Sequence, residues 1–261
     1  MTIGSLFSGV GGLELGLEWA GLGPVVWQVE IDPKCRNCLS THWPEAERFD
    51  DVRTVGKHDL KAVDIICGGF PCQDVSSAGK KFGLGGARSG LWSEFARVVE
   101  ELSPPWVVVE NVTSGARKWV DAIRTELGRF GYASLPIPLR ASDCGAWHRR
   151  SRVFIIAHTD GKFLREQPGR SSGPNRRQAR IAAIRAADSH RMRELQPGRS
   201  VSQFGRWPFD SDRIWAAEPD VARVVHGLPG RTHRERALGN SVVPQCAEVV
   251  GYVIRELMGT A

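Results

Sequence analysis

Short apolar runs alternate with helically spaced apolar positions through the first 160 residues of the chain. Residues 2–7 and 24–31 carry the near-continuous hydrophobic character of strands, and residues 13–20 between them repeat their apolar positions at helical spacing. Residues 33–42 predict a second helix, with Asp32 as its N-cap and Pro33 at its first position. Residues 63–67 predict a buried strand, and residues 91–102 a helix with Leu91, Phe95, Val98, Val99 and Leu102 along one face. A short strand over 106–109 follows Pro104-Pro105 and runs out into Glu110-Asn111; 123–130 predicts a helix and 153–157 another strand. This alternation is the pattern of an α/β fold built on a mostly parallel sheet.

Two stretches break the pattern. Between Gln73 and Gly90 the chain is rich in Gly and Ser and carries Lys80, Lys81 and Arg88, which predicts a long loop, either a lid or a solvated connector. From about Thr159 to Arg206 arginines dominate, large apolar residues are scarce, and the run from Asp160 is weakly echoed from Asp188. Such a segment cannot bury much of itself; contacts to phosphates, disorder without a partner and a plain charged linker are all open to it. Periodicity returns near Glu218-Pro219-Asp220, a helix start ahead of 221–225, and 244–258 predicts a closing amphipathic helix.

Composition narrows the class without deciding it. With 261 residues and 41% apolar content the chain can build a sizeable core, and 35 Lys and Arg against 29 Asp and Glu leave a charge of +6, a mild bias toward polyanions. Six scattered cysteines are no disulfide framework, which fits a reducing compartment. Cys35, Cys38 and His42 lack an evident fourth ligand, so no metal site is expected. No apolar run approaches a membrane span and the N-terminus has no signal-like pattern, so the expectation is a soluble, cytoplasmic protein.

Chemistry gathers at the predicted strand ends. Cys72, in GGFPCQDVS, follows the strand over 63–67 directly after a proline; it is either a core thiol or a nucleophile displayed toward a cleft. Gly9, Gly11 and Gly12 lie between the first strand and the first helix, where backbone can approach a ligand closely, although Glu14 occupies the place of the last glycine in the dinucleotide pattern. Glu30 and Asp32 at the end of the second strand suit ribose hydroxyls, and Asp51 suits an adenine amino group. A nucleoside-bearing cofactor follows, with its identity open.

Together these segments resemble the cytosine-C5 DNA methyltransferases. FSGVGG resembles their S-adenosylmethionine loop, GGFPCQDVS their nucleophile motif, Glu110-Asn111-Val112 their ENV motif, His148-Arg149-Arg150-Ser151-Arg152 their QxRxR motif with His in first place, and GNSVVP from Gly239 to Pro244 their last motif. All five stand in the family's order. The resemblance implies a Rossmann-like S-adenosylmethionine methyltransferase fold over 1–158, completed by the helix of 243–261, with a small target-recognition region over 159–242. It implies Cys72, Glu110, Arg150 and Arg152 as catalytic residues: Cys72 adds to C6 of a flipped-out cytosine, Glu110 holds its N3 and N4 side, Arg152 contacts O2, and Arg150 orients Glu110. S-adenosylmethionine would be held by Phe7, Gly9, Val10, Gly11, Gly12, Glu30, Ile31, Asp51, Val52, Pro71, Leu91, Asn240 and Ser241.

Gln73, Ser76, Lys80, Lys81 and Arg88 would contact double-stranded DNA. The implied protein is a monomer of restriction-modification or phage type, with a cognate restriction endonuclease as a further partner. A tRNA cytosine-5 methyltransferase and a non-catalytic DNA-binding relative are the alternatives.

Overall fold

The computed structural model describes residues 1–71, 90–144, 146, 148–160 and 239–259. Among these, seven strands form one sheet in the order β3-β2-β1-β4-β5-β7-β6. Strands β1 (Ile3–Leu6), β2 (Val25–Val29), β3 (Glu47–Phe49), β4 (Ile65–Gly68) and β5 (Trp106–Val112) are parallel; β7 (Ser151–His158) runs antiparallel between β5 and β6 (Ala133–Arg140). The expected mixed, mostly parallel sheet is what forms. Sheet order reverses at β1, which has β2 on one side and β4 on the other, and a crevice opens at the carboxyl ends of strands at such a point.

Helices cover both faces, which is why the central strands read as unbroken apolar runs. In β5, Trp106 and Val108 face the core beneath α1 (Gly12–Trp19) and α5 (Pro244–Leu257), while Val107 and Val109 face the core beneath α3 (Leu91–Leu102) and α4 (Ala116–Arg129). Each such side chain stabilises the fold by about 1.5–3 kcal/mol on burial. Helix α5 packs along α1 through Val249, Val250, Val253 and Ile254, so the C-terminal segment completes the first core. Helix α2 (Pro33–His42) starts as expected: the Asp32 carboxylate accepts from the amides of Lys34 and Cys35.

Three differences from the sequence reading have local causes. Strand β6 went unrecognised because Pro136 and Pro138 interrupt it, yet as the edge strand its outer side needs no N–H donors. Strand β3, only three residues with none fully buried, has too little pattern to find. Helix α4 begins at Ala116 rather than near Ile123, because Arg117, Lys118 and Asp121 hide the signal of Trp119 and Val120. The helix expected over 221–225, the loop from Gln73 and the Arg-rich segment lie outside the described residues. No helix among the described residues is long and apolar enough to cross a membrane.

Candidate active site

A cavity of about 440 Å³ opens at the carboxyl ends of β1, β2, β4 and β5. That volume falls within the range of sites for small organic ligands. Its lining includes Phe7, Gly9, Gly12, Glu30, Ile31, Asp51, Val52, Pro71, Leu91, Asn240 and Ser241, with Glu110 and Arg152 at another part of the wall. Val10 and Gly11 are not among the lining residues, although the same turn contains them.

At the end of β1 the chain turns sharply, with positive φ at Phe7 (57°), Gly9 (57°) and Gly11 (86°). Phe7 is the costly one, since a side chain in the left-handed region is strained. The turn is held from β2: the Glu30 carboxylate accepts from the Gly9 amide at 2.7 Å through one oxygen and from the Asp32 amide at 2.8 Å through the other. Each oxygen keeps a second lone pair for a hydroxyl. The exposed side chain of Ile31 beside it offers an apolar surface to a flat ring. A Cβ on Gly12 would sit 2.3 Å from the Val242 carbonyl oxygen and 2.7 Å from Ser241 Oγ. Glycine at 12 is therefore what lets the segment 239–243, remote in sequence, close against the loop.

Asp51, in the cavity wall, is engaged by a neighbour in the chain. Its carboxylate accepts from the Arg53 amide and pairs with the Arg53 guanidinium at 2.6 Å, which holds its pKa down at about 2. Arg53, not singled out in the sequence, also lines the cavity.

The opposite wall is made by β5 and β7. Their antiparallel register sets Val112 opposite Arg152 and Glu110 opposite Phe154, so Glu110 and Arg152 are diagonal neighbours on one face. Arg152 Nε lies 2.8 Å from Glu110 Oε1, with both side chains largely buried. Burial pushes the Glu110 carboxyl up to about 7, against the opposing pull of Arg152 first and Arg150 second. Gly69 faces this carboxyl so closely that a Cβ there would lie 2.7 Å from Glu110 Oε2. Next to Glu110, Asn111 Nδ2 donates to the Phe70 carbonyl at 2.9 Å, and Phe70 is itself buried against Trp92. The strand end is thereby tied to the segment leading into Cys72, which lies outside the described residues together with Gln73, Ser76, Lys80, Lys81 and Arg88.

Arg150 does not hold Glu110 by a hydrogen bond. Its Nη2 donates to the carbonyl of Gly239 at 2.7 Å and to that of Ser241, clamping the turn that meets the glycine loop. The physical reason is register: Arg150 precedes β7, past the point where the sheet directs side chains onto Glu110's face, whereas Arg152 lies within it. Burial, and then the neighbouring Arg152 charge, lower the pKa of the Arg150 guanidinium. Sequence reasoning assigned no role to Gly69 or Trp92, which carry no chemistry of their own, or to Glu14, a buried carboxyl on α1. Glu14 did leave a signal: a carboxylate set among Leu13 and Leu17 on the face of α1 that meets the core.

A mixed sheet with its cavity at the switch point, lined by a glycine turn and an acidic strand end, defines a Rossmann-like fold. A prophage-encoded Escherichia coli protein superposes with a TM-score of 0.61 at 22% identity over 99% of each chain, and the S. pombe Dnmt2 methyltransferase with 0.57 at 16% over 100% of this chain and 99% of its own. The family model for C-5 cytosine-specific DNA methylase matches residues 1–202, and the chain belongs to that family. Type II methyltransferase M2.BsuMI of Bacillus subtilis is 35% identical over 165 residues, which are 60% of this chain and 42% of that protein. M.AquIA of Picosynechococcus is 34% identical over 199 residues, 68% of this chain and 79% of that one. The chain thus spans about two fifths of M2.BsuMI and about four fifths of M.AquIA.

Proposed function

We propose that the chain is an S-adenosylmethionine-dependent DNA (cytosine-5)-methyltransferase. The observation that carries this reading is the Glu110–Arg152 pair facing a cavity whose other walls come from the glycine turn and from Asn240-Ser241. The cofactor's groups find partners there: free lone pairs on Glu30 for ribose hydroxyls, and Ile31 and Val52 as apolar surface for adenine. When bound, S-adenosylmethionine supplies an electrophilic methyl group.

The chain's own residues do the rest. The Cys72 thiolate forms a bond to C6 of the target cytosine, and the displaced C5=C6 electron pair makes C5 nucleophilic enough to take the methyl group. Glu110, held near neutrality by burial, can keep a proton to share with N3 as negative charge develops on the ring, and accepts from the N4 amino group. Arg152 fixes the Glu110 carboxyl and presents its remaining donors toward O2. Arg150 acts one step back, by clamping the 239–241 turn and by adding positive charge near Glu110. Loss of the C5 proton to a base and expulsion of the thiolate from C6 then restore the ring. The target must leave the duplex for this geometry to be reached, and unstacking it costs a few kcal/mol.

Residues 159–242 serve in this reading as the target-recognition region, with positive charge for the DNA backbone, and the remaining chain as the catalytic unit. A monomer acting in the cytoplasm beside a restriction endonuclease of the same specificity completes the proposal. The test is a denaturation-resistant adduct between the protein and duplex DNA carrying 5-fluorocytosine, formed with S-adenosylmethionine present. Wild type is expected to trap and Cys72→Ser to fail. Trapping by both would show the nucleophile misassigned, and methyl transfer to tRNA alone would overturn DNA as the substrate.

A further inference from the structure

The cavity wall assigned to adenine lies at the β3 edge of the sheet, where little regular structure holds it. Strand β3 is three residues long with none fully buried, and Asp50, Asp51, Val52 and Arg53 run from it directly into the cavity lining. The 3-10 turn Val52–Thr54 has its own bonds back to Asp51, from the amides of Arg53 and Thr54 and from Thr54 Oγ1. A segment this short of ladder and helix bonds opens readily unless it is tied from outside.

The tie comes from α3. Arg97 Nη2 donates to the carbonyls of Val52 and Val55 at 2.8 and 2.9 Å, across 45 and 42 residues of chain. The rest of the guanidinium is fixed on its own helix, Nε lying 2.8 Å from Glu94 Oε2 and Nη1 2.8 Å from Glu101 Oε1. Glu101 reaches the turn as well, its other oxygen accepting from the Lys57 amide at 3.1 Å. Gly56 packs so closely on this group that a Cβ there would lie 2.5 Å from Glu101 Oε2 and 3.3 Å from Arg97 Nη1. All three guanidinium nitrogens are thus engaged, and a planar fork held this way fixes its partners as a single ammonium nitrogen does not. Arg97 itself is not among the residues lining the cavity.

We propose that Arg97 is a positioning residue that sets cofactor affinity from outside the cavity, by holding the 52–55 turn in the shape that adenine requires. The inference rests on reading the cavity as the S-adenosylmethionine site. A turn that is correctly shaped only part of the time lowers the apparent affinity of every ligand that needs it by the same factor, and leaves the bound complex unchanged. The signature is a uniform loss across adenosine-bearing ligands and a rise in KM without a matching fall in kcat.

The test combines calorimetric binding of S-adenosylmethionine, S-adenosylhomocysteine and 5′-methylthioadenosine with amide hydrogen exchange of residues 52–57 in the ligand-free protein. Wild type, Arg97→Ala and Arg97→Lys are compared. Arg97→Ala is expected to weaken all three ligands by one common factor of about 5- to 50-fold, the range of a lost charge-assisted hydrogen bond read through a conformational equilibrium. KM for S-adenosylmethionine should rise, with kcat and the KM for DNA staying within about twofold. Exchange at 52–57 should quicken by more than exchange in β4 and β5. Arg97→Lys keeps a cation between Glu94 and Glu101, so it reads the proposal even if the alanine variant folds poorly. Its single nitrogen cannot span both carbonyls, and it should show the same pattern at reduced size.

Unchanged affinities beside a lowered melting temperature would make Arg97 purely structural and overturn the proposal. Unequal losses among the three ligands, a fall in kcat at constant KM, or unaltered exchange at 52–57 would overturn it too. Failure of wild type to bind any of the three would overturn the cofactor reading, while the exchange measurement still decides whether Arg97 holds the turn.

Discussion

At the ends of β1 and β2 the cavity wall is mostly main chain: a turn with three positive φ angles, amides gathered by Glu30, and a glycine against which the 239–243 segment closes. At the ends of β5 and β7 it is side chain: Glu110 and Arg152 brought together by antiparallel register, then braced by Asn111 on the Phe70 carbonyl. Backbone presents the same donors whatever the side chains are, so the first wall constrains residue size more than residue chemistry. The second wall constrains chemistry directly, because its charges must match in sign, reach and protonation.

The sharpest way to break this contrast is at the reacting atoms. Cys72→Ser should lower methyl transfer by about ten-thousandfold or more, since the weaker oxygen nucleophile replaces the thiolate, while S-adenosylmethionine binding stays at wild-type level. Tritiated methyl incorporation and equilibrium binding measured together check both halves. A parallel loss of binding would mean that the two walls are not separable.

Glu110→Gln should lower kcat by about 10²–10⁴-fold, the usual worth of a positioned acid or base. It also carries a stability signature with a definite sign. Burial raises the folded-state pKa from 4.5 to about 7, so between those values the folded protein holds a proton that the unfolded chain has lost. Stability from this group is therefore present below about pH 4.5 and declines as pH rises to about 7. Urea titrations at pH 5 and pH 8 should show the variant gaining relative to wild type at the higher pH. An unchanged difference between the two pH values would remove the burial argument.

On the other wall, Gly12→Ala drives a methyl group into the Val242 carbonyl and Ser241. The expected cost is about 1–3 kcal/mol of stability or, if the 239–243 segment moves away, a weakening of cofactor binding by tenfold or more. Thermal melts with and without S-adenosylmethionine distinguish these. Asn111→Ala should have the smallest effect, about 1–2 kcal/mol from losing the tether to Phe70, with kcat falling more than KM rises. Steady-state kinetics over a range of DNA concentrations would show that split, and a pure KM effect would count against a positioning role.

What could be read in advance follows the same division. Strands buried on both faces, β4 and β5, announced themselves through dense apolar runs, helix α3 through its single apolar face, and the Asp32-Pro33 start of α2 through its capping chemistry. Strand β6 stayed hidden because its two prolines are compatible with an edge and with nothing else in a sheet. Residues of the candidate site were legible as types at motif spacings, including Glu110, Arg150 and Arg152. Their partners were not: the arginine expected at Glu110 is bonded to a distant turn, Asp51 is engaged by Arg53, and Glu14 was noted only as a break in a glycine pattern.

By itself the sequence determined the alternation of elements, the motif order and the family, because these are carried by local periodicity and by residue types at short spacing. Only the tertiary structure decided which arginine meets Glu110, why position 12 must lack a side chain, and that Glu14 is fully enclosed. Those facts depend on strand register and on contacts between segments up to 230 residues apart, such as Gly12 with Val242, and no local pattern in the chain encodes the distance between two side chains.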